Sequence, residues 1–130
     1  MIKYTRGEAE VQVTEAIVKF EREYMGRGPE EAKTFIIEDN IFVRLRGVLT
    51  PGEKQLAKAD DSATGRKLIK QVRQELIEKA RFLLETIMFD ITRIKMVSLH
   101  TDISSITGER IIVFTLERSP KFKDDDKVEG

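Results

Sequence analysis

The sequence predicts an α+β fold, an αββαββ two-layer sandwich: a four-stranded antiparallel sheet with a long helix and an N-terminal helix on one face. Two observations carry this. Residues 7–25 and 63–90 place apolar side chains three and four apart, the period of a helix with one buried stripe. Each stretch is followed by a pair of short runs rich in Ile, Val and Phe around a turn, the pattern of a hairpin. A single domain over 1–118 suits a chain of 130 residues, which is long enough to bury an ordinary core.

From Gly7 to Met25 the stripe is Ala9, Val13, Ala16, Ile17, Phe20 and Tyr24. The helix should stop at Gly26-Arg27-Gly28-Pro29, where two glycines are free to take positive φ and proline biases the residue before it away from helix. Ala32 to Glu38 and Ile41 to Leu49 read as strands around Asp39-Asn40. In the second, Ile41, Val43 and Leu45 alternate with Phe42, Arg44 and Arg46, so one face is core and the other carries two arginines. Thr50-Pro51-Gly52-Glu53 is a capping box that starts a short helix, Thr50 as cap and Glu53 three residues on. This helix falters around Asp60-Asp61-Ser62.

A long helix then runs from Ala63 to Asp90, with Ile69, Val72, Leu76, Ala80, Leu83 and Ile87 as its main stripe and Leu68, Ile77, Leu84, Met88 and Ile91 beside it. Such a rod is about 40 Å long, whereas a strand of ordinary length spans about 20 Å. Its overhang leaves apolar side chains in water unless a second subunit covers them, which predicts a homodimer. Arg93 to Ile103 is the third strand, with a bulge between Met96 and Val97 where the apolar parity changes. Ser104 to Gly108 turns the chain into Glu109 to Arg118, apolar on both faces and therefore central or covered on both sides. Residues 119–130 are charged and patternless, the composition of a disordered tail.

Composition narrows the function classes. Lys and Arg balance Asp and Glu at 23 each, so no overall field draws the chain to nucleic acid or an anionic bilayer. With no cysteine and one histidine, disulfides, thiol nucleophiles and the usual zinc sites are excluded, and no cofactor is implied. No apolar run reaches the roughly 20 residues of a membrane-spanning helix and the first residues lack a signal-peptide core, so the expectation is a soluble, unprocessed cytoplasmic protein with no direct membrane insertion.

Several separated stretches, KFEREYMGRGPEE, VRLRGVLTPGEKQLAK, IKQVRQELIEKAR and VSLHTDISSITGERIIVFTLER, together resemble the MpsC family from about Gly7 to Arg118. The resemblance implies association with a sodium-translocating, membrane-potential-generating system linked to bicarbonate uptake. In such a system this chain would be a small accessory protein partnered with a membrane transport complex. It implies no catalytic residues.

Candidate sites therefore rest on the residues themselves. His100 and Asp102 share a strand face and could form an acid–base pair or a pH switch; equally, His100 could hydrogen-bond structurally while Asp102 caps the hairpin turn. Arg44 and Arg46 could clamp a carboxylate or phosphate, or pair with Asp102 or a glutamate. Arg27, between Gly26 and Gly28, could help nest an anion, or the turn could serve only to end the helix. Serines 98, 104 and 105 lie outside any nucleophile-elbow context, so no hydrolase is indicated. The basic residues of the long helix alternate with glutamates as on a solvated face, which argues against nucleic acid.

Overall fold

The computed structural model describes residues 2–58, 62–104, 106–123 and 125. The elements are α1 (Arg6–Tyr24), β1 (Glu31–Ile37), β2 (Asn40–Arg46), α2 (Pro51–Lys58), α3 (Ser62–Lys79), α4 (Arg81–Thr92), β3 (Met96–Ile103) and β4 (Arg110–Leu116). The four strands form one antiparallel sheet in the order β1-β2-β4-β3. β4 is an interior strand, one of the two placements its apolar faces allow.

α1 begins at a capping box, the Thr5 hydroxyl accepting from the Glu8 N–H and the Glu8 carboxylate from the Thr5 N–H. It lays Ala9, Val13, Ile17 and Phe20 on the sheet, while Tyr24 stays half exposed. Of the two glycines after it only Gly26 takes positive φ, at 84°. Ile41, Val43 and Leu45 point into the core, with Ile112, Phe114 and Leu116 beside them on β4. The expected break around Asp60-Asp61-Ser62 falls mainly on residues 59–61, outside the described residues.

Two expectations about the long helix change. The single long helix is two, joined at Ala80, and its inward stripe is Ile69, Arg73, Ile77, Ala80, Leu84, Met88 and Ile91. Val72 and Leu83, expected inward, are exposed. α3 and α4 are about 27 and 18 Å long. On β3 the register shifts between Met96 and Ser98, which places the expected bulge, and it swings Val97 out of phase with Leu99 to an exposed position. Within 119–130 the described residues are 119–123 and 125. Phe122 is fully buried with the Arg6 guanidinium 4.8 Å over its ring, and the Ile2 and Lys123 N–H groups donate to the Lys121 and Tyr4 carbonyls.

Candidate functional site: an open sheet face and a buried charge quartet

The helices cover one face of the sheet, and the other is open. Strand pairing arranges the open face in rows. One row reads Phe35, Phe42, Val113 and His100; the next reads Lys33, Arg44, Ile111 and Asp102; Ile37, Asn40, Thr115 and Ser98 form a third. Phe35, Ile37 and Phe42 are 40%, 60% and 37% exposed, unusual for large apolar side chains on one contiguous surface.

Arg44, Arg46, His100 and Asp102 all lie on this face, as the alternation predicts, but they are not gathered around one point. β4 separates Arg44 from Asp102, and the arginines turn to glutamates: Arg44 Nη2 lies 3.4 Å from Glu109 Oε2, and Arg46 Nη1 lies 3.5 Å from Glu31 Oε2. Asp102 meets Lys70 of α3 at 3.5 Å rather than His100. His100 is exposed. The hairpin turn is capped by the Ser104 hydroxyl, which accepts from the Thr107 N–H. Arg27 sits beyond the end of the sheet, donating to the Gly47 carbonyl and pairing with Glu30 at 3.1 Å. Exposed pairs of this kind each contribute little. Lys33, Arg44 and Arg46 nevertheless line an open concavity of about 370 Å³ together with Glu31.

The strongest electrostatic feature lies on the other side of the sheet. Glu21 of α1 is fully buried, and its Oε1 accepts from Arg110 Nη1 at 3.0 Å. Arg110 Nε donates to the Thr101 hydroxyl. Arg73 of α3 grips Glu53 with two bonds, 2.9 Å from Nε and 2.7 Å from Nη2, and also donates to the Val48 carbonyl. Arg73 Nη1 and Glu21 Oε2 complete the set at 3.8 Å, too far for a hydrogen bond, and each lacks another partner among the described residues. Burial raises the Glu21 carboxyl above its ordinary value, with Arg110 and Arg73 pulling the other way. Glu53 is held below its ordinary value: partial burial acts to raise it, but the bonds from Arg73 and Thr50 prevail. Thr50 and Glu53 form the predicted capping box, so this glutamate both starts α2 and anchors α3.

The quartet escapes a reading for apolar periodicity because its members are charged, yet Glu21, Arg73 and Arg110 are each in phase with a stripe. Glu21 follows Ile17 by four, Arg73 lies between Ile69 and Ile77, and Arg110 alternates with Ile112, Phe114 and Leu116. That phase is the signal that would have found it.

Among the described residues no group of three or more His, Asp or Glu side chains is placed to hold a metal ion. No described helix is long and apolar enough to cross a membrane. These elements define a small α+β domain, helices on one side of an antiparallel sheet that is open on the other. The chain belongs to the MpsC family: residues 5–118 match it, described as the Na+-translocating membrane potential-generating system (MpsC). It is similar to the uncharacterized protein YbcI of Bacillus subtilis (strain 168), 42% identical over 115 residues that span 88% of this chain and 90% of that protein. No solved structure matches.

Proposed function

We propose that this chain is a cytoplasmic, non-enzymatic accessory component of a membrane-potential-generating ion or bicarbonate transport system, acting as a homodimer docked on its membrane partner. The family's description, a Na+-translocating membrane potential-generating system, supports the kind of system. The observation that carries a docking role is a ridge on α4: Phe82 is 80% exposed, and Phe89, two turns on, is half exposed beside a concavity shared with Lys95 and Met96. Aromatic side chains left in water at helical spacing suit a protein partner. A tagged chain should co-purify with a membrane complex from its native cells, and the double substitution Phe82→Asp, Phe89→Asp should release it. Equal recovery of the complex with the substituted chain sinks the ridge as the contact.

A second reading, recognition of a small anion or nucleotide, is supported by the concavity lined by Lys33, Arg44 and Arg46, with His100 and Asp102 across the same face and Arg27 beyond its end. A ligand at about 100 times its dissociation constant adds about 2.7 kcal/mol of stability. A melting temperature unmoved by bicarbonate, phosphate and nucleotides retires this reading.

A further inference from the structure

The open sheet face carries a pattern that fits itself. We infer that it is the surface on which two copies of this chain pair, related by a two-fold axis running parallel to the strands between β2 and β4. This deepens the homodimer reading by assigning its surface.

The argument starts from the rows. A two-fold axis in the plane of the interface and along the strands keeps each row level with the same row of the partner and reverses strand order. Lys33 then faces the partner's Asp102, Phe35 the partner's His100, and Phe42 the partner's Val113. Arg46 of β2 comes opposite the partner's Glu109, which directly precedes β4. Lys33 and Asp102 thus meet as opposite charges on the outer strands and Phe42 meets Val113 at the centre, while Arg44, held by its own chain's Glu109, comes level with the partner's Ile111. Lys33 has no carboxylate partner among the described residues; its ammonium rests 5.2 Å from the Phe35 ring centroid.

The other in-plane axis fails this test. Laid across the strands on the charged row, it sets Lys33 against the partner's Lys33; laid on the phenylalanine row, it sets Lys33 against the partner's Ile37. Like charges oppose the first arrangement, and the second leaves both Lys33 and Asp102 without an opposite charge across the interface. Two twisted sheets packed face to face align within about 30° at about 10 Å separation, which the reach of Lys33 and Asp102 bridges.

The area suits a modest affinity. Four strands about 4.8 Å apart and seven residues of about 3.4 Å give about 450 Å² in projection per copy. Two copies come close to the roughly 1,000 Å² at which specific interfaces begin. The dimer is therefore concentration-dependent, with its aromatic row excluding water at the centre.

Sedimentation over a concentration series tests this. The wild-type chain should dimerise, and Phe42→Asp should weaken the dimer by about tenfold or more. Lys33→Glu and Asp102→Lys should each weaken it by roughly tenfold, because each sets like charges together twice, and the double exchange should return it to near the wild-type affinity. All three positions point away from the core, so melting curves should confirm that the variants fold. A wild-type chain that stays monomeric to about 100 times micromolar concentration overturns the inference and the homodimer reading together, while the membrane-partner reading is judged separately by co-purification. A dimer that ignores Phe42→Asp but dissolves with Phe82→Asp overturns the face alone. Single charge exchanges that weaken the dimer without rescue in the double overturn the two-fold arrangement.

Discussion

Arg110 lies side by side with core aliphatic residues, 1% exposed, and its guanidinium is matched by the Glu21 carboxylate. Removing one member of such a pair strands the other in a dry interior, which costs about 3 to 5 kcal/mol, whereas replacing both with apolar groups of similar volume is often neutral. Arg110→Met should therefore lose about that much stability in urea unfolding, and the pair Glu21→Leu, Arg110→Met should recover most of it. Additive losses would mean the two residues act independently. Arg73 remains bonded to Glu53 in either variant, which keeps the comparison clean. These residues were legible only by phase. Charge suggests the surface, and only their spacing along Ile17, Ile69 and Ile112 points inward.

At the scale of elements, the short helix α2 buries no residue of its own along Pro51–Lys58. It is held by its cap and by a close approach to α3 at Gly65, where an added Cβ would overlap the Leu56 carbonyl oxygen. Gly65→Ala should push α2 away and cost about 1 to 3 kcal/mol, despite alanine being the better helix former. Amide hydrogen exchange across 51–58 should accelerate more than across the sheet; uniform protection would contradict this account. Element types and order were legible from periodicity and from the Thr50–Glu53 box. The split at Ala80 was not, because alanine is no helix breaker and the Ala80 and Leu84 N–H groups still reach back to Leu76 and Ala80. Arg73 explains the phase error: an arginine inside the true stripe makes the neighbouring line through Val72 and Leu76 read as the more continuous.

For the whole molecule, the quartet ties α1, the start of α2, α3 and β4 into one electrostatic unit, so its titration belongs to global stability. The depressed Glu53 carboxyl contributes stability that is complete above its unfolded value near 4.5 and drains as pH falls through the lower folded value. Glu21 has the opposite sign. Its folded form holds a proton that the unfolded chain has released above 4.5, so its charged form weighs against the fold as pH climbs through that raised value. Glu53→Gln should flatten the loss of stability below pH 4.5 relative to wild type, measured by urea midpoint; an unchanged acid limb would assign that loss to other groups. The alternation of β2 and the double-sided β4 made the sheet legible, including its central strand and the arginine face. What occupies that face was not legible, since alternation gives the side a residue takes and not the neighbour it meets.

The bulge at Val97 bears on how assembly ends. β3 is an edge strand, and a free edge invites further strands to add one after another without limit. The bulge breaks the regular pleat of that edge at Val97, which makes lateral growth along β3 less favourable. Association through the flat face about a two-fold axis is finite, since the second copy uses up the surface it binds. The irregularity that displaces one valine thus blunts one of the sheet's two edges, the other being β1.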